Sequence, residues 1–146
     1  MSVNKQGGKM KTDPQYPEPT VGALIFNLEG KLLLVKTHKW HGKYTIPGGH
    51  VELGERLLDA LKREIKEETN LGMIDADFLC FQEFIFDESF WEQRHFIFFD
   101  FVCQVDDDKV QLNDEAEEYV WVDVDEAYSY PIDSYLRYSL ELYQQR

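Results

Sequence analysis

Hydrophobic positions along this chain form short extended runs and a few stretches with helical spacing. The runs at 20–27 (TVGALIFN) and 31–39 (KLLLVKTHK) are separated only by a short turn sequence, which predicts a β-hairpin. Aromatic-rich runs at 73–87 and 94–105, together with EEYVWVDV at 117–124, predict three further strands.

Helical spacing is confined to three segments. Residues 55–69 and 133–146 predict amphipathic helices, and DEAYSY at 125–130 predicts a short one. The segment at 40–52 is a loop rich in glycine and proline with short extended pieces. Because single helices stand between groups of strands, the pattern predicts an α/β fold in which helices cover the faces of a mixed β-sheet.

The length of 146 residues fits a single domain with one core. Residues 1–19 are polar and rich in glycine and proline, so we expect a flexible N-terminal segment followed by a domain at 20–146. No apolar run approaches 18 residues and the N-terminus lacks an apolar signal core, which predicts a cytoplasmic protein without membrane contact. Cys80 and Cys103 are then expected to be free thiols.

The net charge of −13 and the pI near 4.6 argue against a nucleic acid polymer as partner. Binding such a polyanion requires clustered lysine and arginine that neutralise its phosphates. Acidity of this size has two explanations: solubility, or carboxylates that hold a cation able to bridge to an anionic substrate. The composition does not separate them, but the helix at 55–69 bears on the choice.

Three glutamates lie at helical neighbour positions in this helix, where like charges repel. With Glu64 at 0° and about 100° per residue, Glu67 falls at about −60° and Glu68 at about +40°. The apolar residues between about +60° and +120° predict the buried stripe, which is formed by Leu58, Leu61 and Ile65. The side predicted to face water carries Asp59, Lys62, Arg63 and Lys66. The three glutamates therefore border the stripe that packs into the domain.

Two interpretations of this cluster are open. In one, the helix is simply solvated, and Arg63 and Glu67 form an i, i+4 pair worth about 0.3–0.5 kcal/mol. In the other, the carboxylates bind a hard divalent cation, which prefers oxygen ligands and would cancel their repulsion. Gly48 and Gly49 precede the helix and allow a close backbone approach, so a carbonyl group there could also face the metal.

The stretch from 49 to 71 resembles the Nudix box, G-x5-E-x7-R-E-U-x-E-E-x-G-U, in which U is a bulky aliphatic residue. Eight of the nine fixed positions match, at Gly49, Glu55, Arg63, Glu64, Ile65, Glu67, Glu68 and Leu71. The ninth, a glycine in the family, is Asn70, the residue next best suited to the left-handed conformation that ends a helix. The flanking GKYTIPGG and NDEAEEYVWV are also similar to segments of Nudix members, with Tyr44 where the family has tryptophan.

The resemblance implies the Nudix fold, an α/β/α sandwich with a mixed β-sheet, and a requirement for Mg²⁺ or Mn²⁺. By their positions in the box, Glu67 and Glu68 would bind the metal together with the carbonyl group of Gly48. Glu64 would be a further ligand or the base that activates water, and Arg63 would orient the glutamates. The resemblance also assigns supporting or additional roles to Gly49, Glu52, Glu55 and Glu115, with Glu118 as the second choice to Glu115.

Substrate recognition is less clearly encoded in the sequence. The aromatic residues in and after the strand at 73–87 are either core or a stacking surface for a nucleobase, and they are Phe84, Phe86, Phe90 and Trp91. Arg94, at the start of the next strand, is a candidate contact for a phosphate group.

The expected function is metal-dependent hydrolysis of a pyrophosphate bond in a nucleoside triphosphate or a nucleoside diphosphate derivative. Within the family, a nucleotide-sugar hydrolase that attacks the sugar carbon and a non-catalytic nucleotide sensor are the alternatives. All box carboxylates are present, which favours an enzyme because sensing modules usually lose them. An acidic interaction domain would require the box to be a coincidence. A homodimer is a further expectation, since many relatives are dimers.

Overall fold

The computed structural model describes residues 15–146. Over this range the strands are β1 Glu18–Phe26, β2 Leu32–Lys36, β3 Tyr44–Thr45, β4 Gly48–His50, β5 Met73–Ile85, β6 His95–Val105 and β7 Glu118–Val122. The helices are α1 Leu57–Thr69, α2 Val124–Ala127 and α3 Ser134–Gln144, with a 3₁₀ turn at His38–Trp40. The strands and helices predicted from the sequence all form, with ends that differ by a few residues. Most of the segment expected to be flexible lies outside the described residues, and β1 begins two residues before the expected start of the domain.

The strands of the described range form one mixed sheet in the order β3-β2-β1-β6-β5, with β4 also paired to β1 and β7 to β2. The predicted hairpin is confirmed, since β1 and β2 pair antiparallel through Phe26 and Leu32. The side chain of Asn27 closes its turn by accepting hydrogen bonds from the N–H groups of Glu29 and Lys31, each at 3.0 Å. The parallel contact is β1 with β6, which runs in register from Glu18 to Phe26.

Helices cover both faces of the sheet. Alternate residues of a strand point to opposite sides, so β1 contributes apolar side chains to both faces. Ala23 and Ile25 of β1 pack on the side of α1, in a cluster that also contains Leu61. Leu24 of β1 packs on the other side, against Leu136 of α3. The predicted α/β/α sandwich is therefore confirmed. Cys80 and Cys103 are free thiols, as expected, and no described helix is long and apolar enough to cross a membrane.

The buried face of α1 differs from the predicted stripe. Leu61 and Ile65 are buried as expected, but the side chain of Leu58 is 51% exposed. In its place Glu68 is buried, so the face that packs into the domain is rotated towards the glutamates. The reason is the position of β4, which runs beside β1 and packs against this side of the helix.

Candidate active site

Two glycines of β4 allow three elements to approach one another. Gly48 pairs with Gly22 of β1, and a Cβ atom at Gly48 would lie closer than 3.0 Å to the carbonyl oxygen of Val21. A Cβ atom at Gly49 would be equally close to the carboxylate of Glu64. Real Cβ atoms do not make such contacts, so β4 can lie between β1 and α1 only because it carries glycine here.

The helix α1 ends as the resemblance predicted. Asn70 adopts the left-handed conformation with φ of 63°, and its N–H donates to the carbonyl oxygen of Lys66. The hydroxyl group of Thr69 donates to the carbonyl oxygen of Ile65 at 2.6 Å, which fixes the last turn. Leu71 follows in the core. The asparagine therefore closes the helix as glycine would, and the positions of the glutamates are preserved.

Glu64 and Glu68 lie side by side next to Gly48 and Gly49 of β4. Glu68 is only 8% exposed, and one of its oxygens accepts a weak hydrogen bond from the N–H of Gly48 at 3.4 Å. Burial raises the pKa of Glu68 well above its usual range, and the neighbouring Glu64 carboxylate raises it further. Two buried or half-buried carboxylates in contact favour either a shared proton or a bound cation.

Glu55, Glu64, Glu67 and Glu68 form an acidic cluster, and the guanidinium group of Arg63 contacts the first three of them. Its Nε and Nη2 atoms donate to the two carboxylate oxygens of Glu55 at 2.8 and 3.0 Å. Its Nη1 atom donates to Glu64 at 2.8 Å and to Glu67 at 3.2 Å, and Nη2 also donates to the carbonyl oxygen of His50. The side chain is 24% exposed, so the expectation that Arg63 faces water was wrong. Its long side chain folds back along the helix to reach these acceptors.

The carboxylate of Glu55 ties the loop before α1 to the helix. It also accepts a hydrogen bond from the N–H of Glu52 at 3.0 Å, and the Arg63 guanidinium lowers the pKa of Glu55 to about 2. The side chain of Glu52 is mostly exposed and lies 3.9 Å from Arg63. Glu52 and Glu55 are therefore placed around the cluster, with Glu55 holding Arg63 directly.

Glu115, the residue expected to add a ligand from outside the box, lines the same cavity as Glu68. Its carboxylate accepts a hydrogen bond from the Nζ atom of Lys39 at 2.8 Å. The second choice, Glu118, instead accepts a hydrogen bond from the hydroxyl group of Tyr44. The structure thus brings Glu115 towards the acidic cluster and engages Glu118 elsewhere.

The carboxylates of residues 15–146 do not include three that are already arranged around a common metal position. Two cationic side chains set the present orientation of three of these carboxylates. Arg63 forms salt bridges with Glu64 and Glu67, and Lys39 forms one with Glu115. The donor types nevertheless suit a hard cation, and Glu68 is buried beside a like charge without a cationic partner among its hydrogen bonds. A divalent cation fits this set if Glu67 and Glu115 turn away from Arg63 and Lys39.

An aromatic cavity of about 190 Å³ adjoins the acidic cluster. Gly48, Gly49, Glu68 and Glu115 belong to its lining, which connects the cavity with the carboxylates. Its aromatic walls are Trp40, Phe90, Phe96, Phe98 and Tyr135. Flat apolar walls next to an acidic cluster suit a ligand with a ring at one end and anionic groups at the other.

The candidate substrate contacts occupy different environments. Phe84 is fully buried and packs edge-on or tilted against the cavity aromatics, so it supports the wall without lining the cavity. Phe86 is exposed and contacts His95, away from the cavity lining. Arg94 is held by Glu18 and by Glu92. Phe90 does line the cavity, together with Trp40 and Tyr135, which no sequence pattern singled out.

Two buried acids, Asp100 and Asp133, also line the cavity and were missed from the sequence. Asp100 of β6 accepts a hydrogen bond from the hydroxyl group of Ser139 at 2.6 Å and faces Gly22, where a Cβ atom would clash with it. Asp100 carries the one charge in the central, aromatic part of β6, a signal that the sequence did contain. Asp133 has the pattern of a helix N-cap and gives no separate signal.

Asp100 makes the stability of the fold depend on pH. Burial raises its pKa from 3.8 to about 6, and the nearby Asp133 carboxylate acts in the same direction. The unfolded chain therefore releases this proton first, so Asp100 contributes a loss of stability as the pH rises from about 4 to about 6. Because asparagine does not titrate, we expect the free energy of unfolding of Asp100→Asn, relative to wild type, to rise over this window by up to about 3 kcal/mol.

Urea unfolding of both proteins at several pH values between 4 and 7 measures this difference. Asp114→Asn, at an exposed loop position, is the matched control, and its difference from wild type should stay flat. Parallel pH curves for Asp100→Asn and wild type would contradict the assignment of a raised pKa.

Comparisons with known proteins agree with the fold. The chain matches the NUDIX domain over residues 16–143. The nucleoside triphosphatase NudI of Salmonella paratyphi B is 32% identical over 107 residues, which cover 69% of this chain and 76% of that protein. The MutT protein of Methanosarcina mazei Go1 is 28% identical with a TM-score of 0.76, covering 91% of this chain and 97% of that one. The NUDIX domain of Shewanella oneidensis NrtR, solved with ADP ribose, shares the fold at 17% identity with a TM-score of 0.76, covering 95% and 94%.

These matches define the protein as an enzyme that hydrolyses pyrophosphate bonds. The chain belongs to the Nudix family, and it is a Nudix hydrolase. Enzymes of this family generally need divalent metal ions and act on nucleotide derivatives.

Proposed function

We propose that this enzyme hydrolyses a nucleoside triphosphate to a nucleoside monophosphate and pyrophosphate with the help of Mg²⁺ or Mn²⁺. The observation that supports it is the buried Glu68, which lies beside Glu64 and lines an aromatic cavity that suits a nucleobase. A nucleoside triphosphatase among the relatives favours triphosphates over other nucleoside diphosphate derivatives.

The metal would be held by Glu64, Glu67 and Glu68 of α1, by Glu115 and by the carbonyl oxygen of Gly48. When bound, a divalent cation polarises the phosphoryl oxygens and lowers the pKa of a bound water molecule. It also reverses the sign of a site that would otherwise repel a triphosphate, which matters in a chain with net charge −13.

The protein's own residues position these groups and move the proton. Arg63, fixed by both oxygens of Glu55, orients the carboxylates of Glu64 and Glu67. Glu64 lies against Gly49 and is the side chain suited either to bind the metal or to accept the proton of the attacking water. Lys39, beside Glu115, becomes free to contact a phosphate when that carboxylate turns towards the metal.

A substrate panel with and without metal tests this function. We expect hydrolysis of nucleoside triphosphates, with pyrophosphate as product, in Mg²⁺ or Mn²⁺, and no measurable turnover in excess chelator. Coupling to a pyrophosphatase detects the product, and mass spectrometry of a reaction in ¹⁸O-labelled water locates the attacked phosphorus. In parallel, either metal should raise the melting temperature of the substrate-free protein.

The panel should include nucleotide sugars, ADP-ribose and dinucleoside polyphosphates as competing classes. Faster turnover of one of these would reassign the substrate within the same chemistry, and label on a sugar would reveal attack at the sugar carbon. Nucleotide binding without any turnover would contradict the proposal in favour of a sensing module.

The expected homodimer has a candidate surface on the edge strand. In the described range β5 pairs only with β6, and it exposes Ile74, Phe78, Phe81 and Ile85. An exposed edge with apolar side chains is a place where a second copy can continue the sheet about a twofold axis. We propose this surface for the dimer, and a monomeric mass by light scattering at micromolar concentration would reject it.

A further inference from the structure

His50 lies between the acidic cluster and the aromatic walls of the cavity. It follows Gly49, which lies against the carboxylate of Glu64, and its ring centroid is 6.0 Å from that of Phe96. His50 lines the cavity and its side chain is 52% exposed, so a ligand in the cavity can reach the ring. A nucleotide with its base between the aromatic walls and its phosphates at the acidic cluster therefore has its sugar beside His50.

The imidazole ring of His50 is held by a buried carboxylate. Its Nε2 atom lies 2.6 Å from Oε1 of Glu18, whose side chain is 11% exposed. Both oxygens of Glu18 also accept hydrogen bonds from Arg94, and the bond to Oε2 measures 2.8 Å. Burial raises the pKa of Glu18, but the hydrogen bonds from Arg94 and His50 outweigh it and lower the pKa below its usual value, so the carboxyl group is ionised at neutral pH.

The contact with Glu18 determines which ring nitrogen of His50 is available to a ligand. An ionised carboxyl group only accepts hydrogen bonds, so Nε2 carries the hydrogen atom of this bond. The hydrogen bonds that the ring makes within residues 15–146 all involve Nε2. Nδ1 therefore remains for a ligand.

The backbone of β4 is held without the side-chain contact to Glu18. β4 pairs with β1, and the N–H of Val51 donates to the carbonyl oxygen of Pro19 at 3.0 Å. The carbonyl oxygen of His50 also accepts a hydrogen bond from Arg63 at 3.0 Å. What Glu18 adds is the orientation of the imidazole ring. A ring that is oriented in advance loses little entropy when a ligand binds.

We propose that His50 binds the sugar of the substrate through Nδ1, with Glu18 and Arg94 as positioning residues. The partner is a ribose hydroxyl group, which both donates and accepts hydrogen bonds. The contact forms whichever charge the ring has, because Nδ1 accepts in the neutral ring and donates in the cation. This inference rests on the proposed nucleotide substrate and adds the residue that recognises its sugar.

Binding of nucleoside monophosphates that differ only in the sugar tests the inference without requiring turnover. Isothermal titration of the full chain in Mg²⁺ measures the affinities of the ribose, 2′-deoxy and 3′-deoxy forms of AMP, GMP, CMP and UMP. Affinities are compared within one base, so any preference for a base cancels. We expect the form that lacks the contacted hydroxyl group to bind about three- to tenfold more weakly than the ribose form, as the loss of one neutral hydrogen bond predicts. The weaker of the two deoxy forms identifies that hydroxyl group.

Two substitutions at His50 distinguish a sugar contact from a structural role. In His50→Ala the ribose form should weaken to the affinity of that deoxy form, so the difference disappears. His50→Asn should restore part of it, since the amide oxygen can lie close to the position of Nδ1 and accept a hydrogen bond. Glu18→Gln should reduce the ratio of the two affinities by about two- to threefold and leave the deoxy form unchanged, because an uncharged partner orients the ring less firmly.

His95→Ala is the matched control, because His95 contacts Phe86 and does not belong to the cavity lining. It should leave the affinity ratios unchanged, and thermal unfolding checks that each variant is folded. Wild type that binds all three sugar forms equally or binds none of them would overturn the inference. Equal weakening of all three forms in His50→Ala would also overturn it, because His50 would then act on a group that the three forms share.

Turnover of the corresponding triphosphates by the same proteins separates the two proposals. Sugar-selective binding without hydrolysis of any triphosphate would leave His50 as the sugar-binding residue and reject the proposed reaction. Hydrolysis of all sugar forms with equal kcat/KM, in wild type and in His50→Ala, would support the reaction and reject the role of His50.

Discussion

Replacing Glu68 by glutamine should reduce kcat by about 10³-fold without unfolding the protein, since a catalytic metal contributes several kcal/mol to transition-state stabilisation. Glutamine keeps the volume of the side chain and can accept from the N–H of Gly48, but it removes the negative charge that would bind the cation. The metal-free variant should be at least as stable as wild type at neutral pH. Burial raises the pKa of Glu68, so the folded wild type is penalised once the pH exceeds the pKa of an unperturbed glutamate.

The opposite responses of activity and stability distinguish a metal ligand from a structural residue. Steady-state kinetics on triphosphates, with urea unfolding in chelator and in Mg²⁺, measures both. Glu141→Gln, on the exposed side of α3, is the matched control and should change neither. Stabilisation by Mg²⁺ should disappear in Glu68→Gln and persist in the control. Full activity in Glu68→Gln, or an unaltered metal response, would show that Glu68 does not bind the cation.

Replacing Gly48 by alanine should lower the free energy of unfolding by about 2–4 kcal/mol, as forced overpacking against rigid backbone does. The added Cβ would lie closer than 3.0 Å to the carbonyl oxygen of Val21 and would touch the Cα atom of Gly22. Neither atom can move without separating β4 from β1. Because β4 also lies against α1, activity should fall even where the variant is folded.

Gly72→Ala provides the matched control for Gly48→Ala. A Cβ atom at Gly72 meets nothing within 4 Å and the backbone there is not left-handed, so its stability should stay within about 0.5 kcal/mol of wild type. Urea unfolding of both variants, at equal m-values, measures the difference. Equal stabilities would mean that β4 moves aside without cost and that the close approach is not required.

Local sequence patterns predicted most elements of the fold because those elements depend on neighbours along the chain. The hairpin at 20–39 follows from two apolar runs and a short turn, and α1 from apolar spacing and a left-handed Asn70. The parallel pairing of β1 with β6 has no such local signal, since its partners lie more than 70 residues apart. It depends on the folding of the whole sheet.

The acidic part of the site was predictable for a different reason. Fixed spacing on one helix places Glu64, Glu67 and Glu68 together whatever the rest of the chain does. The angular positions around α1 predicted that Leu58 is buried and that Arg63 faces water, and both predictions were wrong. A helix considered alone does not reveal which neighbouring element covers it. Because β4 packs against α1, the buried face of this helix includes Glu68. Arg63 is partly buried because it donates hydrogen bonds to Glu55 and Glu64.

The sequence by itself determined the order of the elements and the acidic helix, because both depend on adjacent or regularly spaced residues, and its resemblance to the Nudix box indicated the class of enzyme. Only the tertiary structure decided which residues form the cavity. Trp40, Asp100 and Asp133 come from a turn, a central strand and a helix cap, and in the sequence they have the patterns of those elements. They meet because β6 pairs with β1 and α3 packs across the sheet, and long-range packing of this kind leaves no periodic signal in a single chain.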